Sequence, residues 1–157
     1  MYYNDIFAII PYYDHYGQNC TCIILRDQSR KLFSFSIKQF LQKMFFQLHL
    51  DFKAIKIWTT NVLGTKYNNP IIVNASLVFI PVKIRQTIGK QDGCFGYINL
   101  KALASIQDYN LFLINNMPIP ILSTKAYVLQ KQAHGNLLAY TYEAYSQSLL
   151  RPSFSSA

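Results

Sequence analysis

The chain has 157 residues, of which 51% are hydrophobic and only 14% charged, a composition that excludes a disordered polyelectrolyte and allows one well-filled core. Fifteen Lys and Arg against seven Asp and Glu give a formal net charge of +8, which favours a polyanion as partner and says nothing about fold. The lone glutamate, Glu143, and the absence of a phosphate-binding glycine motif, a nucleophile elbow or an H-E-x-x-H run leave an enzyme without its parts.

"DIFAIIPYY" and "NCTCIILRD" are apolar, β-branched runs separated by "DHYGQ", so the first element is a hairpin. "RKLFSFSI" alternates into a third strand. From Ser36 the period changes: Ile37, Phe40, Leu41, Met44, Phe45 and Leu48 recur at helical spacing, with Ser36 as cap. "FKAIKIWTT" reads as an imperfect strand. "TKYNNPIIVN" is a loop entering a short strand, and "SLVFIPVKI" is a strand whose Pro81 marks an edge or a bulge. "RQTIGKQDGCFG", with three glycines, is a loop. A strand, a short helix or turn and a hairpin through Asn115-Asn116 follow. The last helix runs from about Thr124 to Gln132 and is broken near Gly135, leaving a tail.

The expected fold is α+β and mainly β: compact antiparallel sheets or a small barrel, with two or three short helices. One domain spans residues 1–145 and a frayed tail covers 146–157.

The basic residues are unevenly placed. Eleven lie between Arg26 and Lys90, against Asp27 and Asp51; beyond Lys101 there are only Lys125, Lys131 and Arg151. The N-terminus "MYYNDIFAIIPYY" lacks a basic stretch and is interrupted by Pro11, so no secretory signal is expected. No apolar run approaches the roughly 18 residues of a membrane span. Cys20, Cys22 and Cys94 are odd in number, and His15, His49 and His134 are scattered. Reduced thiols, no metal, no cofactor and a cytoplasmic location are therefore expected. At "MPIPILSTKAYVLQ" a short proline-bearing strand meets Ser123, a candidate N-cap beside Lys125. Such a corner is either a plain capped surface helix or a site where amide donors and a cation meet a phosphate.

Two stretches carry a resemblance. "YNNPIIVNASLVFIPVKIRQTIGKQDGCFGYINLKAL" (67–103) resembles the centre of the ComK family of competence transcription factors, with Pro70-Ile71-Ile72-Val73, Ile80-Pro81 and Cys94 leading into Tyr97-Ile98 as counterparts. "NNMPIPILSTKAY" resembles the family's later turn and Leu-Pro-Ile-Ser-Tyr run. The Asn-to-Ser pattern is also similar to LytTR-type DNA-binding domains, with Asn99 and Ser123-Thr124-Lys125 at the matching positions. The family's Phe-Gly-Ser-Ser-Tyr segment is not recognisable in "QLHLDFKAIKIWTTNVLG". The family's longer C-terminal region is absent, which leaves its adaptor and protease control in doubt.

The resemblance implies a sequence-specific regulator binding A/T-rich double-stranded DNA, with oligomers on repeated boxes. Lys83, Arg85 and Lys90 are the candidates for phosphate or groove contacts; Asn99, Lys101, Thr124 and Lys125 form a second candidate surface. A protein-interaction module that keeps the fold, or a nonspecific nucleic-acid binder that stacks bases on tyrosines, are the alternatives.

Overall fold

The apolar N-terminal run folds back as its alternation requires. β1 (Ile6–Tyr13) and β2 (Asn19–Leu25) form an antiparallel hairpin in the computed structural model, which describes residues 1–150. Its turn is closed by Asp14, whose carboxylate accepts from the backbone N–H groups of Tyr16 and Gln18. β3 (Arg30–Phe33) adds to the free side of β2. α1 (Ile37–Gln47) begins at a capping box: the Ser36 hydroxyl accepts from the Gln39 N–H, and the Gln39 side chain accepts from the Ser36 N–H.

The segment expected to be an imperfect strand is instead a helix, α2 (Phe52–Leu63). The Asp51 carboxylate caps it by accepting from Ala54 N–H, and Gly64 ends it at φ 72°, a left-handed conformation that glycine adopts without steric cost. Phe52, Ile55 and Thr59 also recur at helical spacing, and two caps with that stripe outweigh the strand preference of the isoleucines.

β4 (Ile71–Asn74), β5 (Leu77–Lys83) and β6 (Phe95–Asn99) complete a six-stranded antiparallel sheet in the order β3-β2-β1-β6-β5-β4. β7 (Leu103–Gln107), β8 (Asn110–Leu113) and β9 (Pro118–Pro120) form a second, three-stranded antiparallel sheet, with the β8–β9 turn at Asn115-Asn116 as expected. Neither sheet closes into a barrel, so the fold is α+β with mainly β content.

β5 is not an edge strand, as its proline suggested. Its pairing with β4 stops at Phe79, however, so Pro81 has a registered partner, Tyr97, on one side only. Pro11 is placed similarly, past the last β1–β6 pair, Ile9–Tyr97. The missing N–H of each proline thus falls where the strand is locally an edge. Where β1 and β6 part, Gly96 lies so close to its neighbour that a Cβ would sit 2.8 Å from the Ile9 carbonyl oxygen.

The large sheet buries both faces. Ile9, Ile23, Phe79 and Leu77 pack under Phe40, Leu41, Met44 and Phe45 of α1. On the other face Ile80, Val82 and Ile98 meet Leu111, Leu113 and Ile119 of the small sheet, and Val128 of the last helix. That helix, α3 (Lys125–Leu150), is continuous, against the expected break near Gly135 and the frayed tail from residue 146. Gly135 is buried against the sheet: a Cβ there would lie 3.1 Å from Ile80 and 3.2 Å from Leu100. It costs about 1 kcal/mol of helix propensity and permits the close approach. Residues 151–157 of the expected tail lie outside the described residues.

α3 also carries a cluster that titrates. Lys131 is only 6% exposed, with its Nζ 5.3 Å from the Tyr127 ring centre, and burial lowers its pKa. Burial, and then the charge of Lys131, hold His134 below its ordinary 6.5; its Nδ1 is buried with no partner among the described residues. Because the folded value is the lower one, the unfolded chain takes up the proton first as pH falls. Stability linked to His134 is therefore complete above pH 6.5 and drains as pH drops through the folded value. Urea midpoints should fall between pH 7.5 and about pH 5.5, and His134→Gln should flatten that fall.

Candidate nucleic-acid interface

The corner before α3 is built differently from its sequence reading. The N-cap is Thr124: its hydroxyl accepts from Tyr127 N–H at 3.3 Å and its carbonyl from Val128 N–H. Ser123 is 8% exposed and its hydroxyl accepts from the Lys83 N–H at 2.9 Å, while Leu122 N–H donates to the Lys83 carbonyl at 2.7 Å. These bonds stitch the corner to the end of β5. The Lys125 N–H is taken by the Asp108 carboxylate at 2.7 Å, so the helix start has two of its free donors satisfied and a carboxylate beside it. An anion cradle is a poor description of such a corner. The exposed side chain of Lys125 remains available.

The glycine-rich loop, residues 84–94, closes the β5–β6 hairpin. Arg85 is its internal bracket: Nε donates to the Gly93 carbonyl, Nη2 donates to Asn19 Oδ1 and the Asp92 carbonyl, and the guanidinium lies 4.1 Å from the Tyr13 ring centre. Its Nη1 is buried without a partner among the described residues. A guanidinium turned inward onto these partners is a structural strut, against its expected role as a phosphate contact. Asp92 strengthens the same knot, accepting from Tyr13 Oη at 2.6 Å and Gly89 N–H at 2.9 Å; the Tyr13 hydroxyl chiefly holds its carboxyl below the ordinary range. Lys90 is exposed at the tip.

Asn99 is also displaced from its expected role. It is 4% exposed, its Nδ2 donates to the Ile6 carbonyl at 2.9 Å, and its Oδ1 accepts from Lys101 N–H at 3.0 Å. Asn99→Ala should lower stability by about 1–2 kcal/mol, because it strands a buried carbonyl, while duplex affinity per folded molecule stays unchanged. Thermal melts paired with gel shifts check this.

Strand register divides the remaining candidates. β5–β6 pairing sets Lys83 opposite Phe95 and Phe79 opposite Asn99, so Lys83 and the 84–94 loop lie at one end of the sheet and Asn99 at the other. Ser123 ties Thr124 and Lys125 to the Lys83 end. Lys101 goes with Asn99, beside Arg26. The second candidate surface is therefore divided, with Thr124 and Lys125 at the Lys83 end and Asn99 and Lys101 at the other.

The densest charge lies elsewhere. Residues 30–66, covering β3, α1 and α2, hold Arg30, Lys31, Lys38, Lys43, Lys53, Lys56 and Lys66 against Asp51 alone, and Asp51 is spent as the α2 cap. All seven cations are exposed, and none is ion-paired among the described residues. On a strand Lys53 and Lys56 would face opposite sides; the helix gathers them on one exposed face with Ile57 and Asn61.

Between α1, α2 and the sheet lies a cleft of about 450 Å³ that reaches residues 91–93 of the loop. Lys38, Lys56 and Lys66 stand around it, and Phe52, Phe95 and Tyr97 line it. Burial pushes the Tyr97 phenol up to about 12, so its hydroxyl stays protonated and can donate. Asn69 also lines the cleft; its Nδ2 donates to the Thr65 carbonyl and its Oδ1 is buried without a partner among the described residues. No described helix is long and apolar enough to cross a membrane. Compared with known proteins, the chain matches no family model, no curated protein and no solved structure.

Proposed function

We propose that the protein is a cytoplasmic, DNA-binding transcription regulator that docks double-stranded DNA on α1, α2 and the tip of the 84–94 loop. The observation that carries this reading is the run of exposed, unpaired cations in residues 30–66, five of them on or beside α1 and α2, whose one acid is already committed to a helix cap. Such cations neutralise phosphates and release counterions, which supplies affinity without sequence preference. Preference needs groups that reach base edges. α2 offers exposed Asn61 and the apolar side chains of Ala54 and Ile57 between its lysines, and a helix is the element a major groove admits. Lys90 extends the same surface across the cleft. Lys83 and Lys125 sit at this end of the sheet and serve as flanking phosphate contacts, whereas Lys101 does not belong to it.

The regulatory role and the preference for A/T-rich sites rest on the resemblance of 67–103 and 115–127 to competence factors. Gel shifts on A/T-rich duplex, random duplex and single strand test the reading. A preference for A/T-rich duplex supports it. Equal binding to all three favours a nonspecific nucleic-acid binder, and a flat salt response removes the polyanion altogether, favouring a protein-interaction module.

A further inference from the structure

We infer that the outer face of α3 is a docking surface for a second copy of this chain, which packs on it antiparallel about a two-fold axis at Ala133. α3 turns Val128, Lys131, Gly135 and Leu138 inward. On its opposite side Ala126, Leu129, Ala133, Leu137 and Tyr140 recur at helical spacing, and all five are exposed, Leu137 by 48% and Tyr140 by 79%. A helix face turned to water normally carries charge. The 26 residues of α3 hold three charged side chains, and Lys131 is buried, so only Lys125 and Glu143, near opposite ends, lie in the open.

Two features of this stripe fit it to the chain itself. The first is its symmetry. Its spacings are 3, 4, 4 and 3 residues, the same read from either end, with Ala133 in the middle. An antiparallel copy centred there sets Leu129 against Leu137 of the second copy and Ala126 against its Tyr140, small opposite large, and the same contacts recur across the axis. Such self-complementarity is what a two-fold contact requires. The alanine on the axis lets the helices approach to about 8 Å. A parallel copy would set Tyr140 on Tyr140, Ala126 on Ala126 and Glu143 on Glu143, with bulk at one end, a gap at the other and like charges together.

The second feature is charge. Two copies of net charge +8 repel each other, so a self-contact belongs on a stripe without cations. The antiparallel copy also brings Glu143 to the N-terminal turn of the second α3, near Lys125, where Asp108 is already engaged by the Lys125 N–H. The stripe with its polar flanks offers on the order of 700 Å² per copy, close to the roughly 800 Å² that a standard interface takes from each partner.

Sedimentation of the full chain without DNA should show a reversible monomer–dimer equilibrium with a dissociation constant of about 1–100 µM. Raising salt from about 0.1 to about 1 M should tighten it, because screening removes the repulsion and leaves the apolar contact. Leu137→Glu and Leu129→Lys, both at exposed positions, should melt like the parent and each weaken the dimer at least about tenfold. Their double variant should recover most of that loss, since the antiparallel register puts each new glutamate against a new lysine. Leu32→Glu, at a leucine 64% exposed on β3, should leave the dimer unchanged. A monomer at about 0.5 mM would overturn the inference. So would a dimer that salt dissolves, one that survives Leu137→Glu, one that Leu32→Glu weakens as much, or a double variant that recovers nothing. A monomeric parent that binds neutral phosphatidylcholine vesicles, and loses them in Leu137→Glu, would assign the stripe to a lipid surface instead. Duplex gel shifts are read separately, so the DNA reading stands or falls without this one.

Discussion

Replacing Lys38, Lys43, Lys53 and Lys56 together by glutamine is expected to weaken duplex binding by about 10²–10³ at physiological salt. Each lysine that neutralises a phosphate contributes about 0.9 to the slope of log affinity against log salt, so four lost contacts should make it shallower by about 3.6. The parent should show a slope near −4 to −5, and the variant a residual near −1. All four side chains are exposed and none is ion-paired among the described residues, so the variant should melt within a degree or two of the parent. Lys101→Gln, at the far end of the sheet, is the matched control and should leave the slope alone. An unchanged slope with A/T preference kept in the fourfold variant would move the interface off α1 and α2. The same slope with A/T preference lost would place the base-reading groups there, and the phosphate contacts on Lys83, Lys90 and Lys125.

The reason the proposed surface was not legible in the sequence is physically specific. The β1–β2 hairpin, β3, α1 with its Ser36 cap and the Asn115-Asn116 turn were legible, because one buried face and a local cap determine each. α2 was legible in principle. Asp51 and Gly64 bracket it as N-cap and left-handed stop, but Ile55 and Ile57 spaced by two invited a strand. The error spread to function, since Lys53 and Lys56 alternate across a strand and share one face of a helix.

Gly135 misled in the opposite way. A glycine in a helical pattern signals a stop only when nothing packs there; here Ile80 and Leu100 take the space of its missing side chain. Asn99 and Ser123 looked like surface polar residues. Their hydroxyl and amide groups instead satisfy backbone carbonyl and N–H groups from elements 40 and 93 residues distant in sequence. Nothing local announces such a partner. The cleft was invisible for the same reason, being made where β1 and β6 part and two helices cross above the gap.

The sharpest consequence of this distinction concerns Arg85. Arg85→Ala should lower stability by about 2–3 kcal/mol, since it removes charged hydrogen bonds to three acceptors and a cation–ring contact on Tyr13. The loop would open with it, because Asn19, Asp92 and Gly93 lose their common donor. Arg85→Lys decides between strut and phosphate contact. Lysine keeps the charge and still meets a phosphate as a point charge, but it cannot reproduce the planar fork that reaches Gly93, Asn19 and Asp92 together. A strut therefore predicts that Arg85→Lys loses most of the stability that Arg85→Ala loses, while its duplex affinity and salt slope, measured below the melting range, match the parent. A phosphate contact predicts the reverse: Arg85→Lys melting and binding like the parent, and Arg85→Ala shallower in slope by about one unit with little loss of stability. With its Nη1 buried and its other nitrogens already donating, the guanidinium has no free edge to turn toward DNA, and the first outcome is the one expected.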